Sequence, residues 1–174
     1  APGVIVHGGK VNIIGSTGRR SMLVENFITG PGKRNLKRSE FVANIQIPTP
    51  PARTGSAYIR QTPRVAMDIA VVGVGAAVTL VPRHNVCSEV KIVLGAVAPI
   101  PMRATAAESI LRGQELTTTL IDQAAEAAEA EARPITDVRA SEDFRRELVR
   151  VLTKRMVSAA ADNARTPIAN RRAA

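Results

Sequence analysis

The sequence predicts an α+β fold, an antiparallel three-stranded sheet packed on a three-helix bundle. Three observations carry this. Strand-type alternation and β-branched apolar runs fill the chain up to residue 98. After Pro99 and Pro101 the period becomes helical. Pro48, Pro50, Pro51 and Gly55 are the strongest punctuation in the chain and place a boundary or crossover there. Strands that precede helices, rather than alternating with them, make a sheet with its helices on one face.

Residues 4–6 and 11–14 flank His7-Gly8-Gly9-Lys10 and read as a hairpin, because Gly-Gly is a favoured turn pair. Gly15-Ser16-Thr17-Gly18 is a second loop. Residues 24–29 read as one helical turn, stopped by Gly30-Pro31-Gly32. Residues 33–38 are basic and solvated. Residues 41–47 partly alternate, which predicts a half-buried strand ended by Pro48. Residues 56–98 read as a meander of strands at 56–61, 69–80 and 86–97, with a turn at Arg83-His84-Asn85. Gly73 and Gly75 mark a bulge or room for a packed neighbour. Thr105 and Glu108 have capping-box spacing, and Gly113 closes that short helix. Residues 118–133 put Leu120, Ile121, Ala124 and Ala128 on one helical face. Ser141, followed by Glu142 and Asp143, starts a third helix. Phe144, Leu148, Val151, Leu152 and Met156 form its expected buried stripe, and Arg145, Arg146, Arg150, Lys154 and Arg155 cover much of the rest. From Ala159 the Ala-, Asn- and Arg-rich sequence reads as a frayed basic tail.

Composition bounds the chemistry. The chain has 174 residues, enough for one ordinary domain or two small ones. With three Phe, one Tyr and no Trp, its core must come from Val, Ile, Leu and Ala. One cysteine, Cys87, excludes an internal disulfide and a cysteine-held cluster, and His7 and His84 form no ligand pair. No catalytic or metal site is expected. Cys87 with His84 lacks an oxyanion site. Glu126, Glu129 and Glu131 lie on a polar helix face. Gly15 to Arg20 lacks the spacing of a phosphate loop. Gly30-Pro31-Gly32-Lys33 reads as a turn that also presents amides and a cation. No apolar run reaches the roughly 18 residues that span a bilayer. No basic, apolar leader opens the sequence, so a cytoplasmic protein is expected. The first residue is not Met, which fits either its removal or a piece of a longer chain. A net charge of +9 admits nucleic acid as a partner. The basic helix at 144–155 is the best case for it, and the scarcity of stacking aromatics argues against it.

Several stretches, in order, resemble one family. Gly18-Arg19-Arg20-Ser21 and Phe27-Ile28-Thr29-Gly30-Pro31-Gly32-Lys33 resemble the "RR…FFTGPGKT" stretch of the flavin-binding medium subunit of molybdenum hydroxylases, the carbon monoxide dehydrogenase and xanthine dehydrogenase type. Glu40 through Pro48 matches the strand that follows. Ser56-Ala57-Tyr58-Ile59-Arg60 and Ala66-Met67-Asp68-Ile69-Ala70 match "SAYxK…AMDIA". The stretch from Leu94 to Ala104 resembles "LGAVAPTPxRA". Arg133-Pro134-Ile135-Thr136-Asp137-Val138-Arg139 and the run from Phe144 to Leu152 resemble the closing "PxxDxRgSxxYRR…VLxxR".

The resemblance implies an FAD-dependent electron-transfer subunit, present as its C-terminal part. Residues 1–52 would end the second FAD-binding subdomain, 53–158 would be the C-terminal domain, and 159–174 the tail. The family's two glycine-rich pyrophosphate loops are not in this sequence, so FAD would be shared with an N-terminal subdomain in the same or a separate chain. Molybdenum cofactor and iron–sulfur clusters would lie in large and small partner subunits, and the chain alone should not turn over substrate. By resemblance, Val42 matches a strand residue near the flavin and Arg60 matches a Lys near the cofactor. Tyr58 would shield the ring, and Asp68 would orient a neighbouring amide or Arg64. As bare residues, Val42 reads as a core strand position and Arg60 as an exposed strand cation. Two other functions stand beside this one: a structural module that docks partner subunits, and a basic nucleic-acid binder.

Overall fold

The computed structural model describes residues 1–64, 67–82 and 84–166. Ala66 of the AMDIA stretch, Arg83 of the expected turn and residues 167–174 of the expected tail lie outside the described residues. The chain begins with a short helix, α1 (Pro2–Ile5), where the sequence predicts a strand. Pro2, in the first turn, needs no amide partner there, and Gly8 has φ +66, so the chain turns into β1 (Lys10–Gly15). The hairpin forms one loop later: β1 pairs with β2 (Gly18–Leu23), and Gly15 faces Gly18. The helical turn α2 (Val24–Phe27) follows, then the small hairpin of β3 (Ile28–Gly30) and β4 (Lys33–Arg34). β5 (Glu40–Gln46) returns to the other side of β1, giving the order β2-β1-β5. The expected half-buried strand is therefore a sheet edge. Phe41, Val42, Ile45 and Ile47 are all exposed, because no described element covers either face of β5.

After the prolines comes the main sheet, in the order β6 (Thr54–Gln61), β7 (Val72–Leu80), β8 (Cys87–Gly95) and β9 (Met102–Arg103). The three expected strands are all there and antiparallel, and the two-residue β9 adds a fourth. Alternation sorts the two faces of β7. Val72, Val74, Ala76, Val78 and Leu80 point to the helices. Gly73, Gly75 and Ala77 point the other way, toward the N-terminal half. Gly75 and Gly95 are small because Pro2 packs on them: a Cβ at Gly75 would lie 3.3 Å from Pro2 and one at Gly95 3.0 Å. The bulge itself sits at the far end, between Thr79 and Leu80.

Three helices cover the opposite face: α3 (Thr105–Leu111), α4 (Thr118–Glu131) and α5 (Glu142–Arg165). The capping box at Thr105 does not form. Glu108 turns inward, 2% exposed, and accepts from the Ile92 amide (2.9 Å) and from both Arg103 nitrogens that reach it. The start of α3 is capped from another helix instead, because Glu131 Oε1 accepts from the Ala106 amide at 2.6 Å. Thr117 and Ser141 cap α4 and α5 through their hydroxyls, the latter as expected.

Two expectations about α5 are corrected. Its buried face is Arg145, Val149, Leu152, Thr153, Val157, Ala160, Ala161 and Ala164, one residue out of phase with the expected stripe. Phe144 is 53% exposed, since Arg145 takes the inward position. Nor does the helix fray at Ala159. It continues to Arg165, because Ala160 and Ala164 let it lie directly on Gly55 of β6, where a Cβ would collide with the backbone of Ala160, Asn163 and Ala164. Asn163 Nδ2 donates to the Ser56 carbonyl (2.9 Å), and Arg165 reaches Asn85 (2.7 Å).

Candidate functional site

The geometry of the site begins with Arg145. Its side chain is buried under the ends of β7 and β8. Nη1 donates to the Val71 carbonyl (2.6 Å) and the Ala96 carbonyl (3.3 Å), and Nη2 donates to Asp137 Oδ1 (2.8 Å). One guanidinium thus ties the entry of β7, the exit of β8 and the α4–α5 connection. A planar, forked donor suits three acceptors in one layer better than a lysine ammonium does. Ala96 has φ +63, the left-handed region that costs a side chain energy, and the bond to its carbonyl helps hold it there. Asp137 also accepts from the Arg139 amide (2.9 Å) and guanidinium (2.7 Å). The Arg139 amide first, and then Arg145, bring its pKa down to about 2.

The segments that Arg145 ties together wall a cleft of about 700 Å³ between the two halves of the chain. Pro31 comes from the β3–β4 hairpin, Ile69 and Ala70 from the approach to β7, Ala96 and Pro99 from the end of β8, and Ile135 from the α4–α5 connection. Each lies in a stretch that the sequence singles out: the Gly-Pro-Gly-Lys turn, the AMDIA stretch, the Leu94 to Ala104 stretch, and the Arg133 to Arg139 stretch. The walls are mostly aliphatic, and Arg133, Asp137, Arg139 and Arg145 supply the polar part of the lining. Ile69 and Ile135 are 61% and 69% exposed, unusual for such large apolar side chains. A flat, apolar ring system with polar edges fits this lining.

None of the four sequence-derived site residues lines this cleft. Val42 is on the uncovered edge strand β5, so it is not a core residue. Tyr58 and Arg60 project from the same face of β6, toward the N-terminal half, and both are exposed. The Tyr58 hydroxyl covers Gly73, 3.4 Å from where a Cβ would sit. Asp68 accepts from the Ile69 amide (2.8 Å) and from the Arg64 amide (3.1 Å) and Nε (3.3 Å). The Ile69 amide is the chief cause of its lowered pKa. Asp68 thereby fixes the residue that walls the cleft. Among the described residues, no hydrogen bond or ion pair joins the four to one another.

Sequence reasoning missed Ile69, Ile135 and Arg145. Arg145 reads as one more cation on a basic helix. The available signal is its phase, since 145, 149, 152 and 157 share the inward face. Cys87 is a core residue, fully buried, with its thiol pushed up to about 11 by desolvation. Among the described residues no cluster of His, Cys, Asp and Glu has the makings of a metal site. No described helix is long and apolar enough to cross a membrane.

Comparison with known proteins gives the family and the fold. Residues 57–160 match the CO dehydrogenase flavoprotein C-terminal domain. A xanthine dehydrogenase FAD-binding subunit of Escherichia coli O157:H7 is 30% identical over 157 residues, 90% of this chain and 53% of its own length. The carbon monoxide dehydrogenase medium chain of Hydrogenophaga pseudoflava is 31% identical over 146 residues, 84% of this chain and 50% of its own. The solved carbon monoxide dehydrogenase of Hydrogenophaga pseudoflava, in a form that lacks the Mo-pyranopterin moiety, superposes with a TM-score of 0.86 at 29% identity, over 92% of this chain and 55% of that one. Quinoline 2-oxidoreductase from Pseudomonas putida 86 gives 0.83 at 27% identity over the same shares. The chain spans about half the length of the curated relatives it matches. It belongs to the CO dehydrogenase flavoprotein C-terminal domain family.

Proposed function

We propose that this chain is the C-terminal portion of the FAD-binding subunit of a cytoplasmic molybdenum hydroxylase, which passes electrons from iron–sulfur clusters to an acceptor. The observation that carries the reading is the convergence of four motif stretches on one aliphatic cleft, three of them tied together by one buried arginine. FAD, when bound, supplies the electron-transfer chemistry. The chain's own residues wall the ring, exclude water and fix its edges. Ile69, Pro31 and Ile135 supply apolar contact, Arg133 and Arg139 offer cations at the rim, and Asp68 sets Ile69. Tyr58 and Arg60 stand on the face of β6 turned toward the N-terminal half, and Val42 on that half's bare edge strand, where the rest of the subunit would close the clamp. Small iron–sulfur and large molybdenum subunits are the partners of this reading.

The test uses the full-length subunit, titrated with FAD and followed by flavin fluorescence. Ile69→Glu is expected to weaken binding by about tenfold or more, the scale set by placing an unpaired charge in an apolar wall. Unchanged affinity in a folded variant overturns the reading. So does a stoichiometric, tightly held yellow flavin in the isolated 174-residue chain, since half a clamp should not hold it.

The nucleic-acid reading loses its main support. On α5, Arg146 pairs with Glu142, Arg150 with Glu147 and Glu129, and Lys154 with Asp122, while Arg145 is buried. The basic helix is largely neutralised by its own neighbours.

A further inference from the structure

Residues 26–39 contain no acidic side chain, yet carry Lys33, Arg34, Lys37 and Arg38. All four are exposed, and among the described residues none makes an ion pair. This contrasts with α5, whose cations are mostly paired. The loop that displays them is braced. Arg20 grips Glu40 through Nε (2.8 Å) and Nη2 (2.7 Å) and donates to the Asn35 carbonyl (2.8 Å). Glu40 accepts in turn from the Lys37 amide (2.8 Å), and the Asn35 amide bonds the Phe27 carbonyl (2.8 Å). Glu40 is thus engaged in holding the loop, and while Lys37 feels its charge, the four cations keep their side chains in solvent. Two residues before Lys33, on the same hairpin, Pro31 walls the cleft.

We propose that the Lys33–Arg34–Lys37–Arg38 loop is a docking surface for an acidic protein, a one-electron carrier that approaches the cleft beside Pro31. The proposal rests on the flavin reading of that cleft. None of the four cations lines the cleft itself, so they address a broad surface rather than the phosphates of a small molecule held inside it. The loop from Pro31 to Arg38 has no aromatic side chain on which a base would stack, which disfavours single-stranded nucleic acid. The four cations follow Pro31 on the segment that reaches the aliphatic cleft, so a charged surface adjoins a small apolar opening, the composition of a transient interface. Unpaired charges of one sign steer encounter and fix orientation. Two carriers taking one electron each would discharge a two-electron-reduced cofactor, and its two protons would pass to water.

The experiment uses the FAD-loaded full-length subunit and, as probe, a fluorescently labelled plant-type [2Fe–2S] ferredoxin, read by anisotropy at low and high salt. The Lys33→Glu, Arg34→Glu, Lys37→Glu, Arg38→Glu combination is expected to weaken binding by about tenfold or more at low salt, as loss of rim charge complementarity does. Wild type and variant should converge at high salt, where screening removes the difference. The four Gln substitutions should give an intermediate loss, with flavin content and melting temperature unchanged in both variants. Salt-independent binding, equal affinity in the variants, tighter binding of basic cytochrome c, displacement of the ferredoxin by duplex DNA or NAD, or failure of the variant to assemble with its partner subunits overturns the proposal. If the full-length protein takes up no flavin while the variants still lose the ferredoxin, the flavin reading falls and the docking surface stands. If flavin binds and the ferredoxin is indifferent to the loop, the reverse holds.

Discussion

In the C-terminal half, Val72, Val74, Val78, Ile92 and Leu94 are sealed between sheet and helices. In the N-terminal half, Phe41, Ile45 and Ile47 of similar apolar character face water, and the local core is a small group around Val11, Ile13 and Val24. The two regions share a strand-forming composition and differ in what covers it. Burial, not strand propensity, is what stabilises a sheet. The larger half brings its own cover, three helices. The smaller half leaves its edge strand β5 bare and leans on the glycine-rich face of β7 through Pro2, Ile5 and Val6.

Paired substitutions should show this difference most strongly. Leu94→Ala is expected to cost about 2–5 kcal/mol in urea denaturation, as a fully buried leucine does. Ile45→Ala should stay within about 0.5 kcal/mol, the range for exposed sites. Comparable losses would break the contrast. Arg145→Met should cost about 3 kcal/mol, because it strands the Val71 and Ala96 carbonyls and leaves Asp137 to Arg139 alone where β7, β8 and the α4–α5 connection meet, and Arg145→Lys should recover part of it. An unchanged denaturation midpoint would show that this junction does not depend on the side chain. Gly55→Ala should cost about 1–3 kcal/mol by pushing α5 off β6. The same change at Gly32, which has open space around it but φ +67, should act through backbone strain alone.

Acid should loosen both halves in parallel. Glu40, held by Arg20, and Asp137, held by the Arg139 amide and Arg145, each have pKa values near 2 in the folded chain, against 4.5 and 3.8 ordinarily. A depressed carboxyl stabilises the fold above its ordinary value. That contribution fades as pH falls from about 4.5 toward 2. Glu40→Gln should flatten the acid dependence of the melting temperature between those limits, and a slope equal to wild type would refute the clasp. The smallest effect is expected at Cys87. With its thiol pushed up to about 11, it should resist alkylation by iodoacetamide at mildly alkaline pH until the chain is unfolded.

The strand-then-helix order, the sheet with helices on one face and the cap at Ser141 were legible because period and capping chemistry are local. The N-terminal hairpin was misplaced because Gly8-Gly9 looks like a turn between strands, while Pro2 starts a helix. Thr105 and Glu108 have the right spacing for a box, but a buried carboxylate facing Arg103 and the Ile92 amide gains more from those partners. The phase of α5 was misread because a buried arginine counts as polar in any pattern. For the same reason the motif stretches could be recognised one by one, but not that they share a cleft. The contact between Arg145 and Val71 joins residues 74 positions apart.

The end of α5 has a practical meaning for anyone who trims this protein. The family match stops at residue 160, which invites a cut there. Such a cut would remove Asn163 and Arg165, unlatch Ser56 and Asn85, and bare the glycine notch that the helix backbone fills. A shortened version would then present a fresh apolar patch of sheet face to its neighbours in solution, so a boundary drawn by sequence similarity alone would yield aggregates where one drawn at the helix terminus would not.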